Sequence, residues 1–420
     1  MDIKKTLNFH LNNVLKKEQY SSEFASSLQC CYRIVNFTDV FISKNNVLQQ
    51  IEGIRVQHNN WNGPFKGGIR LVKSIDKNEC IGLAMLMTLK CALLNIPFGG
   101  GKGQIACNTS NLAEEDIKRI CERWVDHLFD VIGPQKDIPA PDMGISCTHI
   151  DYMISHYLGL KQNVVDWMAF TGKSIQCHGS HGRESATGYG LFLFIKHWYQ
   201  FVLQEKLVGK KFIVQGLGNV GKWISYFLWK QGLHCVALSD HSGFYKFQGV
   251  DFGQIINKIE KYDNLKHVHD ESPNILIECS ANEFWETSCD IVIPAATQLQ
   301  ITSNVANNLK CQLLVEGANC ASNPEVDTIL KKKNIEIIPD ILANAGGVLV
   351  SYYEWVQNIK FEKWDEASIN MKFEEKLYEV SVNFFEMKTH PMFSEYTNRE
   401  ILYKISLDKL FYLFKTKFSL

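Results

Sequence analysis

The apolar positions of the chain recur with two periods, one typical of α-helices and one typical of β-strands. Residues 7–20 have the spacing of an amphipathic helix. Residues 32–42 and 47–57 are runs rich in Val, Ile and Phe, and these predict two strands. The chain therefore begins with a helix followed by strands.

The next elements extend to residue 142. Residues 76–94 are apolar with helical spacing, and Asp76 followed by Glu79 resembles a capping box, so we expect a buried helix. The short run GQIAC predicts a strand, and residues 114–131 predict a second helix. Two prolines in residues 137–142, DIPAPD, predict a non-helical loop.

The composition of the chain changes near residue 180, where GSHGRESATGYG is small, polar and rich in glycine. This predicts a domain boundary. Beyond it, short apolar runs alternate with helical patterns, which is typical of a doubly wound parallel sheet. The runs are residues 212–215, 235–240, 291–296, 313–319 and 335–340. After residue 364, long helical patterns continue to the end of the chain.

Length and charge limit the possible functions. A chain of 420 residues is long enough for two or three domains. Its 44 Lys and Arg nearly balance its 45 Asp and Glu, so we expect no nucleic-acid or membrane partner but a small-molecule substrate. No segment reaches the roughly 18 apolar residues of a membrane span, and we expect a cytoplasmic protein. Two histidine pairs lack further ligands at matching spacing, so no metal site is expected.

A glycine-rich motif follows the first strand of the second region. The strand KFIVQ leads directly into GLGNVG and then into an amphipathic helix. In dinucleotide-binding folds such a motif makes a tight turn and lets the backbone approach the pyrophosphate. Asp240 ends the next strand, where an acid can accept hydrogen bonds from ribose hydroxyls. The predicted cofactor-binding residues here are Gly216, Gly218, Asn219, Val220, Gly221 and Asp240.

Three lysines lie in unusual surroundings: Lys66 in GPFKGGIR, Lys90 in MTLKCALL and Lys102 in PFGGGKGQI. Each alone could extend its ammonium to solvent, but burying three ammonium groups requires a reason. A lysine among glycines can approach a substrate closely, with its pKa lowered by desolvation and neighbouring cations. A carboxylate partner is then expected, and Asp142 in IPAPDMGI is the candidate, although a loop cap is its alternative role.

The order of the motifs resembles one known family. GPFKGGIR, MTLKCALLNIPFGGGKG, IPAPDMG, GRESATGYG, GLGNVG, IPAA, VEGAN and NAGGVLVSYYEWVQN together resemble the glutamate, leucine, phenylalanine and valine dehydrogenases, over residues 20–415. Within this family the motifs are most similar to those of hexameric, bacterial-type glutamate dehydrogenases. The resemblance implies an α/β fold with an N-terminal substrate domain containing a mixed sheet, and a Rossmann-like dinucleotide-binding domain.

The resemblance also implies domain limits and an assembly. Residues 1–180 would form the substrate-binding and oligomerisation domain, joined by a C-terminal helix at about 390–420. Residues 181–390 would bind NAD(P). The assembly implied is a homohexamer.

Residue roles follow from the same resemblance. Lys102 would be the catalytic lysine, and Asp142 would carry protons to and from the substrate nitrogen. Lys90 would bind the α-carboxylate, whereas Lys66 and Ser351 would bind the side-chain carboxylate. The positions that would line the side-chain pocket are Ala140, Thr187 and Val348. Further cofactor contacts would come from Thr187, from the VEGAN asparagine (Asn319, after Ala318) and from Asn344.

The activity implied is reversible oxidative deamination of L-glutamate to 2-oxoglutarate and ammonia. Lys66 and Ser351 disfavour the alternative, a branched-chain or aromatic amino-acid dehydrogenase, because an unpaired lysine in an apolar pocket would be costly. A second alternative is a catalytically silent subunit that keeps the fold. Asp240 favours NAD over NADP, but an acid near this position also occurs in NADP users, so both remain open. The chain departs from the family pattern at Gln104, where glycine is usual.

Overall fold

The computed structural model describes residues 2–107, 112–163, 165–248, 252–262 and 264–418, which fold into two compact units. The first unit consists of Met1–Arg183, Val348–Lys372 and Tyr403–Leu420. The second unit consists of Glu184–Gly347 and Phe373–Leu402. The layout expected from sequence differs from these units mainly in placing residues 348–372 with the nucleotide-binding part.

The first unit contains a five-stranded mixed sheet in the order β1-β2-β4-β3-β5. Its strands are β1 (Arg33–Ile42), β2 (Leu48–Asn59), β3 (Phe65–Val72), β4 (Gly100–Ala106) and β5 (Asp137–Pro141). Strands β1, β2 and β4 pair antiparallel, whereas β3 pairs parallel with both β4 and β5. The expected mixed sheet is confirmed, and its parallel part carries the candidate chemistry.

Strand β5 corrects a prediction, since DIPAPD was expected to be a loop. Prolines have no N–H to donate, which usually excludes them from a sheet interior. Here β5 is an edge strand that pairs with β3 on one side, while the carbonyl of Pro139 accepts from the backbone N–H of Thr171 at 3.0 Å on the other, so the missing donors of Pro139 and Pro141 are tolerated on the outer side. The strand is buried up to Ala140 and ends immediately before Asp142.

The helices of the first unit pack on this sheet or on one another. They are α1 (Ile3–Lys17), α2 (Ser22–Gln29), α3 (Lys77–Leu93), α4 (Glu114–Leu128) and α5 (Cys147–Lys161). The expected capping box of α3 is only half formed: the Asp76 carboxylate accepts a hydrogen bond of 2.9 Å from the backbone N–H of Glu79, but the Asp76 N–H donates to Gln104 Oε1 and not to Glu79. Thirteen of the 17 residues of α3 are buried, which explains its apolar sequence.

The second unit contains a seven-stranded sheet in the order β12-β11-β10-β6-β7-β8-β9. Its strands are β6 (Lys211–Gln215), β7 (His234–Asp240), β8 (Gly243–Phe247), β9 (Leu276–Cys279), β10 (Ile291–Pro294), β11 (Leu313–Val315) and β12 (Glu336–Ile338). Five of these are the expected parallel strands. The remaining two, β8 and β9, are antiparallel, so the sheet is mixed rather than wholly parallel.

The helices of the second unit flank its strands. They are α6 (Ala186–Trp198), α7 (Asn219–Lys230), α8 (Gly253–Lys261), α9 (Leu265–Glu271), α10 (Ala281–Trp285), α11 (Ser303–Asn308), α12 (Val326–Lys332) and α13 (Asp340–Ala343). Three later helices, α14 (Gly346–Lys360), α15 (Glu366–Thr389) and α16 (Asn398–Phe418), each contain residues of both units. No helix in the described part of the chain is long and apolar enough to cross a membrane.

The end of α16 packs within the first unit. The ring of Phe24 on α2 contacts those of Phe411 and Phe414, with centroid distances of 5.1 and 5.5 Å. Lys404 forms a salt bridge of 2.8 Å with Glu18, just after α1. These contacts connect the last helix to the first two helices of the chain.

Candidate active site

An ion pair joins two of the predicted catalytic residues in the first unit. Lys102 lies on β4 and Asp142 directly follows β5, and the ammonium of Lys102 forms a salt bridge with Asp142 Oδ2. Burial lowers the pKa of Lys102, aided by the charge of Arg70 and opposed by Asp142. Burial alone would raise the pKa of Asp142, but Lys102 and Arg70 hold it well below its usual value. The surroundings therefore favour the ionised carboxylate of Asp142 and make Lys102 easier to deprotonate than an ordinary lysine.

Glycine in β3 permits this arrangement. A Cβ at Gly68 would lie 2.7 Å from the Cβ of Asp142, too close for any side chain. Gly68 pairs with Ala140 of β5, so the strand register places Asp142 beside the end of β3. The second glycine of the GG pair, Gly68, is thus explained by the close approach of Asp142, whereas a Cβ at Gly67 would lie 1.7 Å from the carbonyl oxygen of Gly101.

Lys66 is almost completely buried, with only 1% of its surface exposed. Burial and the positive charges of Arg183 and Arg55 lower the pKa of its ammonium to about 7. Glu354 opposes this shift, but its carboxylate is already paired with Lys173 at 2.6 Å. Lys66 therefore lies in a region of excess positive potential, which favours an anion.

Arg55 supports the strand that carries Lys66. Its guanidinium pairs with Asp137 through two nitrogens, and Nη1 also donates to the backbone carbonyl of Gly67 at 3.1 Å. Gln57 donates to the same Asp137 carboxylate at 2.9 Å. Sequence reasoning missed this buried group, because nothing in the local pattern pairs residues 82 positions apart.

Arg183 is a further cation near the candidate substrate residues. Its Nε is buried and makes no hydrogen bond within the described part of the chain. Burial lowers the pKa of its guanidinium, although the charges of Glu354 and Asp142 oppose this. A buried, unpaired donor is costly, so Arg183 is suited to a ligand anion. The only signal in the sequence was its place in the glycine-rich GRESATGYG.

The other predicted substrate residues of the first unit are also buried. Lys90 on α3 is 4% exposed. Burial raises the pKa of the neighbouring Cys91 thiol, and the positive charges of Lys66 and Lys90 oppose this rise. Ser351 on α14 is 1% exposed, three residues before Glu354. Ala140 is 4% exposed and Val348 is partly buried. Thr187, by contrast, belongs to the second unit, in the first turn of α6.

The glycine-rich motif has the geometry that a pyrophosphate requires. Gly216 has a φ of +91°, and a Cβ at Gly221 would lie 1.8 Å from the carbonyl oxygen of Gly216. A Cβ at Gly218, immediately before α7, would meet no atom within 4 Å. Gly216 and Gly221 are therefore required by the fold, whereas Gly218 leaves open space at a helix N-terminus, where phosphate binds well.

This motif borders a cavity of about 680 Å³ in the second unit. Asp240 lies on its wall, and its carboxylate accepts hydrogen bonds from Ser242 N–H at 2.8 Å and Leu265 N–H at 2.6 Å. The Ser242 hydroxyl also donates to it, at 2.5 Å. The cavity is lined by residues that include Gly216, Gly218, Lys222, Asp240, His241 and Thr297. These residues fit a dinucleotide.

Two predicted cofactor residues lie together in the second unit. The amide Nδ2 of Asn344 donates to Asn319 Oδ1 at 3.1 Å and to the carbonyl of Gly317 at 3.2 Å. Asn219 and Val220 lie in the first turn of α7, and the Asn219 side chain donates to the carbonyl of Glu184 at 2.8 Å. Among the described residues, no cluster of three or more His, Cys, Asp or Glu could hold a metal ion.

Comparison with known proteins identifies the family. The model of the Glutamate/Leucine/Phenylalanine/Valine dehydrogenase family matches residues 179–402, and that of the Glu/Leu/Phe/Val dehydrogenase dimerisation domain matches residues 32–158. The chain is 36% identical over 348 residues to an NAD-specific glutamate dehydrogenase of Staphylococcus aureus, covering 81% of this chain and 82% of the relative.

Solved structures agree with this result. A hetero-hexameric glutamate dehydrogenase from Thermus thermophilus, in a leucine-bound form, superposes with a TM-score of 0.90 at 25% identity, covering 99% of this chain and 97% of the other. Glutamate dehydrogenase from Peptoniphilus asaccharolyticus gives a TM-score of 0.83 at 27% identity, with 99% of each chain covered. The fold is that of the dinucleotide-dependent amino-acid dehydrogenases. The chain belongs to the Glu/Leu/Phe/Val dehydrogenase family.

Proposed function

We propose that this protein is an NAD-dependent glutamate dehydrogenase that catalyses reversible oxidative deamination of L-glutamate to 2-oxoglutarate and ammonia. The substrate assignment rests on the buried cation Lys66, on which the positive charge of Arg183 also acts. Because the positive charge of Arg183 acts on Lys66, an anionic substrate side chain would compensate both charges, whereas an apolar side chain would not. Glutamate, with a second carboxylate, satisfies this need.

The substrate residues divide according to the two ends of glutamate. Lys66 and Ser351 bind the side-chain carboxylate, and the unpaired Nε of Arg183 supplies a further donor there. Lys90 binds the α-carboxylate. Charge-assisted hydrogen bonds to a carboxylate are about twice as strong as neutral ones, so both ends are held firmly. The resemblance assigns Ala140 and Val348, both in the first unit, to the side-chain pocket.

Lys102 and Asp142 carry the protons. Asp142 is ionised in the free protein, so it can accept a proton from the α-ammonium of glutamate, which prepares the amine for oxidation. Bound NAD supplies the hydride acceptor for the Cα hydrogen. Lys102, with its lowered pKa, then activates the water that attacks 2-iminoglutarate, and its ammonium stabilises the oxygen of the carbinolamine. Asp142 finally returns a proton to the departing ammonia.

The second unit binds the cofactor. The backbone at Gly218 and the N-terminus of α7 would bind the pyrophosphate through N–H groups. Asp240 would accept hydrogen bonds from the adenosine ribose. A carboxylate at this position repels a 2′-phosphate, which favours NAD over NADP. Asn319, Asn344 and Thr187 complete the cofactor site.

The alternative, a branched-chain or aromatic amino-acid dehydrogenase, is disfavoured by Lys66 and Ser351. We further propose that the chain forms a homohexamer in the cytoplasm. The Thermus neighbour supports a hexamer, but it is a hetero-hexamer, so identical subunits are our proposal. Mass measurement of the purified protein would test it, and a monomer or a dimer would contradict it.

The activity is tested by following NAD reduction with single amino acids. Purified protein should reduce NAD with L-glutamate, and much more slowly with L-leucine or L-phenylalanine at equal concentration. Missing one charge-assisted hydrogen bond costs about 1.5 to 3 kcal/mol, or roughly ten- to a hundredfold in rate. A faster rate with leucine than with glutamate would contradict the assignment.

A further inference from the structure

One arginine touches the Lys102–Asp142 pair without having a role in the proposed chemistry. Arg70, near the end of β3, donates from Nε to Asp142 Oδ1 at 3.0 Å. Its Nη1 donates to Glu79 of α3, also at 3.0 Å. The side chain is only 10% exposed. Arg70 therefore connects the catalytic carboxylate to the first turn of the buried helix.

The hydrogen bonds divide the two oxygens of Asp142 between different partners. Oδ1 accepts from Arg70 and from the backbone N–H of Met143, which lies at 2.7 Å, while Oδ2 is left to Lys102. Since Oδ1 has two fixed donors, the carboxylate cannot rotate away from Lys102. The position of Oδ2 thus depends on Arg70.

Arg70 is itself held by groups that the chemistry does not use. Glu79 Oε1 accepts from Arg70, and Glu79 Oε2 accepts from the side-chain amide of Gln104 at 2.5 Å. Gln104 Oε1 accepts from the backbone N–H of Asp76 at 2.9 Å. Gln104 stands where the family pattern usually has glycine, so this chain adds a side chain that fixes Glu79, and through it Arg70.

We propose that Arg70 is a positioning residue for the reaction: it fixes Asp142 Oδ2 against Lys102, and its charge keeps the carboxylate ionised and favours the neutral amine of Lys102. This inference rests on the roles assigned to Lys102 and Asp142 in the proposed function. A cation beside the pair acts in the same direction on both groups, because it stabilises an anion and destabilises a second cation. The pKa shifts of both groups agree with this, since the charge of Arg70 lowers each of them.

The charged and titratable groups around the pair come from several elements. Strand β4 contributes Lys102, and helix α3 contributes Glu79 and Cys80. The charges of Arg183 and Asp142 also act on each other. The Cys80 thiol donates to the carbonyl of Lys102 at 3.4 Å, and burial raises its pKa to about 12, so it stays neutral. Arg70 and Arg183 are therefore the cations that act on Asp142 besides Lys102.

The experiment compares Arg70→Gln, which removes the charge, with Arg70→Lys, which keeps it. The reactivity of Lys102 towards acetic anhydride is measured against pH by mass spectrometry, with exposed Lys118 as the internal control. In Arg70→Gln the midpoint of Lys102 labelling should rise by about one pH unit, whereas in Arg70→Lys the midpoint should stay close to that of the parent protein. Both limbs of the pH profile of kcat/KM should move to higher pH in Arg70→Gln alone.

Each result decides the proposal. Unchanged Lys102 labelling in a folded Arg70→Gln protein would overturn it, even if thermal stability falls. Where Arg70→Gln does not fold, Arg70→Met decides instead, because it also removes the charge but keeps an apolar stem: the Lys102 midpoint should again rise, and an unmoved midpoint would overturn the proposal. Labelling needs no turnover, so a protein inactive on glutamate would refute the proposed function and leave this test intact.

Discussion

The ammonium of Lys102 and the carboxylate of Asp142 form one buried ion pair, although 40 residues separate them in sequence. Strand β4 presents the lysine and the turn after β5 presents the aspartate, with β3 between these two strands. Two groups this close titrate as a pair, so pH profiles of the reaction report the pair and not either residue alone.

Replacing Lys102 with Ala should abolish turnover. The substitution removes the amine that activates water and also the partner that keeps Asp142 ionised, so kcat should fall about a hundred- to ten-thousandfold. The measurement is kcat for NAD reduction with glutamate, alongside the oligomeric mass, which should not change. Residual activity within about tenfold of the parent would refute the catalytic role.

Replacing Lys66 with Leu and Ser351 with Val should exchange the substrate preference. The double variant loses its contacts to the second carboxylate, so kcat/KM for glutamate should fall about ten- to a hundredfold or more. Its pocket becomes apolar and should admit leucine or norvaline. Unchanged glutamate kinetics would contradict the assignment, and Lys118→Leu, on the exposed face of α4, is the control.

The KM for glutamate should rise at alkaline pH. The pKa of Lys66 is lowered to about 7 in the free protein, and only the ammonium form binds the second carboxylate. As pH rises above this value the ammonium form is lost, so KM should rise up to about tenfold per pH unit. Norvaline has no second carboxylate, and its KM should be nearly constant over the same range. A flat KM for glutamate would show that Lys66 does not bind it.

Two glycines of GLGNVG should respond differently to alanine. Gly218 has open space around its missing Cβ, so Gly218→Ala should keep the melting temperature but weaken NADH binding by about tenfold or more. Gly221→Ala places a Cβ against the Gly216 carbonyl and should lower the melting temperature. NADH fluorescence and thermal unfolding measure these effects. A Gly218→Ala protein that binds NADH normally would exclude the pyrophosphate from this turn.

A buried charge cluster in the second unit should make stability depend on pH. Arg399 of α16 pairs with Asp327 at 2.9 Å and with Asp340 and Glu316 at 3.0 Å each. One cation cannot balance three anions. Burial, with the charges of Asp340 and Asp327, raises the pKa of Glu316 to about 7, although Arg399 opposes this.

The sign of the effect follows from this raised pKa. A carboxyl group with a raised pKa in the folded state contributes stability that is present at low pH and is lost as pH rises through about 7. Glu316→Gln mimics the protonated form, so its melting temperature should exceed that of the parent by a few degrees near pH 8 and by less near pH 5. Exposed Glu278→Gln is the control. A difference that does not grow with pH would contradict this prediction.

The sequence predicted the parallel core of the second sheet well, because strands buried on both faces appear as continuous apolar runs. It missed β8 and β9 for the opposite reason: β9 is the edge strand and β8 lies next to it, and Ile277 of β9 is 43% exposed. His241 and Ser242 alone connect β7 to β8, so the hairpin offered little turn signal. Strand β5 was missed because its prolines indicate a loop.

Candidate site residues could be recognised only where a residue type is unusual in its local sequence. Lys66, Lys90 and Lys102 stood out because lysine rarely occurs among apolar residues or glycines. Arg70, Arg183 and the Arg55–Asp137 pair did not, since arginine is common in loops and strands and the partners are distant in sequence. Their importance comes from burial, which depends on the folded chain.

The most direct test measures the initial rate of reduced-cofactor oxidation with ammonium, using 2-oxoglutarate or 2-oxo-4-methylpentanoate, each with NADH or NADPH. The account predicts a substantial rate with 2-oxoglutarate and NADH, a slower rate with NADPH, and little with the branched oxoacid. A faster rate with 2-oxo-4-methylpentanoate would contradict the roles of Lys66 and Ser351, and no rate in any combination would favour a catalytically silent subunit.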